Sequence, residues 1–245
     1  MLERPLQTSS TTLSTRLDAV IDGAIAAERI VGAVVLVRQN GQPIYSRAAG
    51  LADREAGSPM RDDALFRLAS VSKLFVAAAA MALVEQGRLD LDRPITEWLP
   101  DFAPRLNGEP VAISLRHLIT HTSGLGYGFL EPEDGPLHRA RVSDGMDRTG
   151  ITLAENLRRL AQVPLLFRPG TRFCYSLALD VAGALIEAAT GLTLPQAVQM
   201  LVTEPLGLND TGFSVADPTR LAAAYADDTP HPRRMRKPFH PAAPA

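Results

Sequence analysis

The sequence predicts an α+β fold in which a mainly helical domain lies beside an antiparallel sheet that is short of strands. Residues 31–37 form a continuous apolar run rich in β-branched side chains, which is typical of a strand buried on both faces. The Asn40-Gly41 pair is a strong hairpin turn, and residues 44–49 return as a second strand. From about residue 70 the apolar pattern is helical almost throughout. The buried strand therefore has one predicted neighbour, and two strands alone are marginal.

Three segments follow from these patterns. Residues 12–65 hold an N-terminal amphipathic helix, with apolar residues at helical spacing up to about Arg29, and the β-hairpin. Residues 66–225 form the mainly helical domain. Residues 226–245 contain five prolines and four Arg or Lys residues with little that could pack, so we expect a Pro-rich, basic and disordered tail.

Composition excludes several classes of partner. The net charge of −2 gives no general attraction for nucleic acid, and the longest near-continuous apolar run, residues 74–84, is too short to span a bilayer. A single cysteine, Cys174, excludes an internal disulfide. Residues 1–12 are polar and lack the apolar core of a signal peptide, so we expect a cytoplasmic protein. A removed signal peptide would leave no trace, and a processed periplasmic form stays the alternative.

Ser70 and Lys73 are the first candidates for chemistry. They are three residues apart at the start of a helical run, so the hydroxyl and the amine lie on one face of the helix. A serine hydroxyl is a poor nucleophile until an adjacent base takes its proton, and a lysine shielded from water can be that base. We therefore expect the Lys73 amine to be buried and within hydrogen-bond reach of Ser70.

The scarcity of lysine favours this interpretation over a helix-capping serine beside a solvated lysine. The chain has 23 arginines and only two lysines, Lys73 and Lys237. Arginine cannot give up its proton in a protein, whereas lysine can. A lysine inside an apolar helix of such a chain therefore indicates a role that needs a titratable amine.

A histidine pair raises a metal site as an alternative. His117 and His121 are four residues apart and could face one ion, but the residues between them include no glutamate and no third ligand is evident. We interpret both as structural or helix-terminal histidines. We expect no metal and no other cofactor.

Three motifs resemble the serine hydrolases of the penicillin-binding-protein and class C β-lactamase type, including the related esterases. Residues 66–73, Phe-Arg-Leu-Ala-Ser-Val-Ser-Lys, look like the nucleophile motif of that family. Residues 118–125, Leu-Ile-Thr-His-Thr-Ser-Gly-Leu, are similar to a signature of its helical domain. Tyr175, in Phe-Cys-Tyr-Ser before an Ala/Leu-rich helix, matches the family's Tyr-x-Asn motif in position. The resemblance covers nearly all of residues 12–225.

The resemblance implies a β-lactamase/transpeptidase-like fold and a set of catalytic roles. Ser70 would be the acylated nucleophile, and Lys73 and Tyr175 would share the proton transfers. An ordinary core tyrosine is the alternative for Tyr175. The substrate would be a small-molecule ester or amide.

Two departures from the family bear on the substrate and on the sheet. Leu177 stands where the family has the asparagine that binds a substrate amide, which favours an esterase over a β-lactamase. The family's third motif, a Lys or His two residues before a Gly on a sheet strand, does not follow Tyr175. We therefore expect the C-terminal strands, and one oxyanion donor with them, to be missing from this chain. A homo-oligomer through the exposed sheet edge would then be favoured.

The sequence thus predicts a serine hydrolase that works through an acyl-enzyme. The alternative is a catalytically impaired or truncated member of the family that acts as a non-catalytic binding protein.

Overall fold

A computed structural model describes residues 10–145, 150–228 and 230–235, without the side chains of residues 10–12. The chain divides into two compact units. We call residues 10–67 together with 215–235 the sheet unit, and residues 68–214 the helical unit. The predicted α+β class is confirmed. The boundary differs from the predicted one at residue 225, because residues 215–225 belong with the sheet unit.

The sheet unit is built on a long β-hairpin. Its elements are α1 (Ser10–Ala26), β1 (Gly32–Gln39), β2 (Gln42–Asp53), β3 (Ser58–Pro59), β6 (Tyr225–Ala226) and β7 (Arg233–Arg234). The strand order is β1-β2-β3, and both pairings are antiparallel. Within the described residues β1 pairs with β2 alone, so the run predicted to be a central strand lies at an edge.

Close packing of β1 on β2 depends on two facing glycines. Gly32 lies opposite Gly50 in the register. A Cβ on Gly50 would lie 2.5 Å from the Val31 carbonyl oxygen, and Gly50 has a φ of +74°, which other residues rarely adopt. The hairpin could not keep this register with larger residues there.

Residues 215–235 return to the sheet unit through backbone hydrogen bonds. The Leu65 N–H donates to the Arg220 carbonyl at 2.8 Å, and the Ala222 N–H donates to the Leu65 carbonyl at 2.9 Å. β6 then pairs with β7, and apart from Tyr225 these strands lie in the segment predicted to be a disordered tail, so part of that segment is paired in a sheet. Residues 229 and 236–245 of the predicted tail lie outside the described residues.

The helical unit packs around one almost wholly buried helix. Its elements are α2 (Ser72–Glu85), β4 (Arg105–Leu106), β5 (Glu109–Pro110), α3 (Leu115–Ile119), α4 (Pro136–Arg139), α5 (Leu153–Leu160), α6 (Ala178–Thr190), α7 (Leu194–Val198) and a π-helical turn (Gln199–Thr203). Helices α2, α3, α5 and α7 all pack on α6. Every α6 residue from Ala178 to Ile186 is buried except Asp180, which is partly buried. Each large apolar side chain buried there contributes about 1.5–3 kcal/mol.

In the part of the chain that the structure describes, no single helix is long and apolar enough to cross a membrane. α6 and the segment Leu194–Thr203 pass that test only as a pair, across a bend of 81°. The burial of α6 within the helical unit accounts for its apolar character.

Candidate active site

Ser70 lies in a tight turn that leads directly into α2. A single 3-10 turn covers Ala69–Val71, and α2 begins at Ser72. Ala69 has a φ of +45°, a left-handed conformation that costs energy for any residue with a Cβ. Strained backbone of this kind persists where the surrounding structure holds it, and here it precedes the candidate nucleophile. The Ser70 side chain is exposed.

The three residues predicted for the site come together around one hydroxyl. The Tyr175 hydroxyl donates a hydrogen bond to Ser70 Oγ at 2.6 Å. Lys73 Nζ donates to the same oxygen at 3.3 Å. The Tyr175 distance is within the reach that proton transfer requires, and the Lys73 distance is slightly longer, as is common before substrate binds.

The prediction that Lys73 is buried is wrong. Its side chain is half-buried, because the next residue, Leu74, is 69% exposed and does not cover it. Instead of being enclosed by apolar side chains, the Lys73 amine lies beside two aromatic rings. Nζ lies 5.1 Å from the Tyr175 ring centroid and 5.6 Å from that of Tyr127, distances at which a cation is attracted to a π face.

Hydrogen bonds from residues 121–126 hold the segment around Tyr175, which lies far along the chain from Ser70. The His121 carbonyl accepts a hydrogen bond from the Cys174 N–H at 2.8 Å. The Ser176 N–H donates to His121 Nδ1 at 3.2 Å. The Leu177 N–H donates to the Gly126 carbonyl at 3.1 Å. These bonds fix the backbone on both sides of Tyr175.

Gly124 is a fixed part of this support. It has a φ of +84°, and a Cβ there would lie 2.3 Å from the Phe167 carbonyl oxygen. The Leu166 N–H donates to the Gly124 carbonyl at 2.8 Å. Only glycine at position 124 allows the backbone of residues 166–167 to approach it so closely.

The surroundings of Tyr175 lower the pKa of its hydroxyl. Burial raises its pKa, but the hydrogen bonds with Lys73 and Ser70 and the positive charge of Lys73 together outweigh burial. The pKa of Tyr175 therefore lies below its ordinary value of 10.0. A tyrosine with a lowered pKa beside a serine hydroxyl can act as a base towards it.

Two residues of the site were not found by sequence reasoning. The Tyr127 ring stacks on the Tyr175 ring, with centroids 5.3 Å apart and planes 8° from parallel. Asp180, in the first turn of α6, interacts electrostatically with Lys73 and Tyr175. Burial raises the pKa of the Asp180 carboxyl to about 6, although the Lys73 charge opposes the shift. An isolated acidic residue in the apolar helix 178–186 was a signal in the sequence, of the same kind as the isolated Lys73.

The two histidines of the metal alternative are engaged by the backbone. His117 Nδ1 accepts from the Ser114 N–H at 3.2 Å as part of a capping box at the start of α3. His121 Nδ1 accepts from Ser176, as above. Burial lowers the pKa of both rings, and the Lys73 charge lowers that of His121 further. Among the described residues no group of three or more His, Cys, Asp or Glu side chains could hold a metal ion.

Leu177, at the position of the family's asparagine, does not face the substrate side. Its side chain is 1% exposed and belongs to the core beneath α6. The side chain that would bind a substrate amide is therefore replaced by a core contact.

The candidate nucleophile lies at an exposed position, apart from the cavity that is formed in the helical unit. A cavity of about 730 Å³ in the helical unit is lined by Trp98, Phe102 and Leu157 among others, and none of Ser70, Lys73 and Tyr175 lines it. The hydrogen bonds of Tyr175 and Lys73 to Ser70 decide the assignment.

The chain is similar to several known proteins. The chain is 54% identical over 226 residues to Esterase EstB of Burkholderia gladioli, covering 92% of this chain and 58% of that protein. The solved structure of EstCE1, described as a hydrolase with promiscuous acyltransferase activity, is 46% identical, with a TM-score of 0.90 over 93% of this chain and 60% of the other. An octameric penicillin-binding protein homologue from Pyrococcus abyssi is 28% identical, with a TM-score of 0.73 over 92% of this chain and 50% of the other.

The chain thus spans less than two thirds of the length of these relatives. The family model described as Beta-lactamase matches residues 17–245. Together these matches confirm the resemblance and the β-lactamase/transpeptidase-like fold. The chain belongs to the beta-lactamase family of serine hydrolases.

Proposed function

We propose that this protein is an esterase that works through an acyl-enzyme on Ser70. The observation that supports the proposal best is the convergence of the Tyr175 hydroxyl, at 2.6 Å, and the Lys73 amine, at 3.3 Å, on Ser70 Oγ. Similarity to Esterase EstB favours ester substrates. The loss of the amide-binding side chain at Leu177 favours esters over β-lactams or peptides.

The proposed reaction has two half-reactions. The Lys73 amine accepts the Tyr175 proton, and the resulting phenolate, stabilised by the Lys73 charge, takes the Ser70 proton as Oγ attacks the ester carbonyl. The positive end of the α2 helix dipole favours the negative charge that develops beside Ser70. The proton then passes to the leaving alcohol. Water attacks the acyl-enzyme in the same way, releases the acid and restores Ser70.

Covalent labelling tests the assignment of the nucleophile. A fluorophosphonate should modify Ser70 alone, as mapped by mass spectrometry. Ser70→Ala should abolish the label, whereas the matched control Ser72→Ala, two residues away in the same segment, should keep it. An adduct on any other residue, or a label that survives Ser70→Ala, would refute the assignment.

Acyl transfer to an alcohol is a second candidate, favoured by the acyltransferase activity named for EstCE1. The exposed position of Ser70 would admit an alcohol as readily as water. Adding a primary alcohol during turnover decides between the two, because transfer yields a new ester and hydrolysis yields the free acid. A protein that binds esters but takes no label at Ser70 would be the non-catalytic alternative.

We also propose that the free edge of β1 pairs with a second copy of this chain. Within the described residues β1 has one partner strand, and Leu36 on it is 69% exposed. Unpaired strand edges bind other strands. Light scattering should show a dimer or larger assembly that Leu36→Lys disrupts. A monomer at every concentration would contradict the proposal.

A further inference from the structure

Five aromatic rings form a continuous row through the site. In order they are Phe173, His121, Tyr175, Tyr127 and Phe129, with successive centroids 5.9, 4.7, 5.3 and 4.4 Å apart. Tyr175, whose hydroxyl contacts Ser70, lies at the centre of the row. Each end of the row is therefore two rings from the ring that contacts the nucleophile.

The two ends of the row differ from its middle in exposure. Tyr127 is buried, whereas Phe129 is 50% exposed and Phe173 is 68% exposed. An exposed phenylalanine by itself needs no explanation. Here both exposed rings belong to one series of ring contacts that includes Tyr175. Their position next to the nucleophile indicates that they contact a bound ligand.

The surface on the Ser70 side is also apolar. Leu68 and Val71, the neighbours of Ser70 along its turn, are 38% and 51% exposed, and Leu74 is more exposed still. A sugar or peptide ester would leave its hydroxyl or amide groups against these side chains without hydrogen-bond partners, which is costly. An apolar substituent would be dehydrated at a gain in free energy.

We propose that the Phe129 and Phe173 rings recognise the substrate and select esters whose acyl or alcohol group carries an aromatic ring. This inference rests on the proposed function, because the ester carbonyl must reach Ser70 Oγ. From that point a substrate group can extend over Tyr175 towards either exposed phenyl ring. Edge-to-face or offset stacking there contributes beyond simple burial of area.

Paired phosphonate probes test the selection. Benzylphosphonofluoridate and methylphosphonofluoridate esters react alike, with Ser70 Oγ bonding to phosphorus and fluoride leaving, and differ only in the aromatic ring. The wild type should label faster with the benzyl probe. Phe129→Ala and Phe173→Ala should each lower the benzyl-to-methyl ratio of rate constants about 3- to 10-fold, the range expected for one aromatic contact.

Matched variants separate recognition from damage to the fold. Leu206→Ala removes a side chain of the helical unit that is 67% exposed and outside the row, and it should leave the ratio unchanged. Phe173→Leu keeps an apolar side chain without a ring and should restore only part of the ratio. An unchanged ratio in both alanine variants would overturn the inference, while labelling of Ser70 would still support the esterase.

A binding measurement keeps the inference testable without turnover. Benzyl acetate and ethyl acetate are titrated against Ser70→Ala and observed by NMR. Tighter binding of benzyl acetate that Phe129→Ala or Phe173→Ala removes would support aromatic recognition even if no probe labels Ser70. Equal binding of the two esters in that experiment would overturn it.

Discussion

The helical unit has a large apolar core, whereas the sheet unit buries few apolar side chains and adds paired charges to its backbone hydrogen bonds. Among its described residues the sheet unit buries the apolar side chains Ile21, Tyr45 and Ala222, while the helical unit buries an apolar cluster that runs through all its helices. Arg47 of β2 instead pairs with Asp18 and Asp22 of α1. The cations of the sheet are arginines, and the cation of the site is a lysine. The two units therefore differ in what a substitution should cost.

The largest effect is expected for Lys73→Arg, which places in the site the cation that the sheet unit uses. The charge is kept but the proton cannot be given up, so acylation of Ser70 should fall by about two to four powers of ten. Lys73→Met removes charge and amine together and should fall at least as far. The labelling rate with a fluorophosphonate measures both. Near-normal labelling of Lys73→Arg would mean that the positive charge, and not a titratable amine, is what the site uses.

The pair Ser70 and Lys73 was predictable because the contact is local. Three residues along a helix fix the neighbourhood of two side chains whatever the rest of the chain does. Tyr175 is 105 residues away from Ser70 and was found only through the resemblance of its motif. Tyr127 was missed because stacking on Tyr175 depends on the path of the whole loop before it.

The strand of residues 31–37 was predictable, but its burial was not. Its apolar run is typical of a central strand, yet no residue of β1 is buried and Leu36 is largely exposed. Burial depends on which elements cover a strand, and a pattern along one segment cannot specify them. The half-buried state of Lys73 escaped prediction for the same reason, since the course of the Tyr127 loop decides its surroundings.

A buried leucine of the helical unit and an exposed leucine of the sheet unit show what burial contributes. Leu185 of α6 is fully buried, and Leu185→Ala should lower the free energy of unfolding by about 2–5 kcal/mol, because it removes buried methyl groups and leaves a cavity. Leu36 on β1 is 69% exposed, and Leu36→Ala should cost less than about 0.5 kcal/mol. Urea unfolding measures both. Equal costs would mean that Leu36 packs as tightly as Leu185 does.

Asp180 makes the stability of the helical unit depend on pH. Its pKa is about 6 in the folded protein against an ordinary 3.8, so the folded state holds the proton more tightly than the unfolded state does. The contribution to stability is present below about pH 4 and is lost as the pH rises through 6. Asp180→Asn cannot ionise at this position. The free energy of unfolding of this variant minus that of the wild type should therefore be larger at pH 7 than at pH 4, by up to about 3 kcal/mol.

Urea titrations at pH 4 and pH 7 measure the difference. Leu206→Ala, at an exposed position of the same unit and without a titratable group, is the control and should change the free energy of unfolding equally at both values. A difference between Asp180→Asn and the wild type that does not vary with pH would show that the Asp180 carboxyl does not titrate between them.

The smallest effect on stability is expected from removing the charge of Arg47, which links α1 and β2 in the sheet unit. Arg47 lies 2.8 Å from Asp18, which also accepts a hydrogen bond from the Tyr45 hydroxyl at 2.6 Å, and these contacts attach α1 to β2. The bond from Tyr45 and the contact with Arg47 outweigh burial and hold the pKa of Asp18 below 3.8. The attachment should therefore weaken as the pH falls through that lowered value.

Arg47→Met keeps most of the apolar stem and removes the charge. Its melting temperature should fall slightly at low ionic strength, and the difference from the wild type should vanish near 1 M salt, where the Debye length is about 3 Å. The loss caused by Leu185→Ala should persist at that salt concentration, because apolar burial is not screened. A salt-independent effect of Arg47→Met would mean that Arg47 stabilises the sheet unit by packing and not by charge.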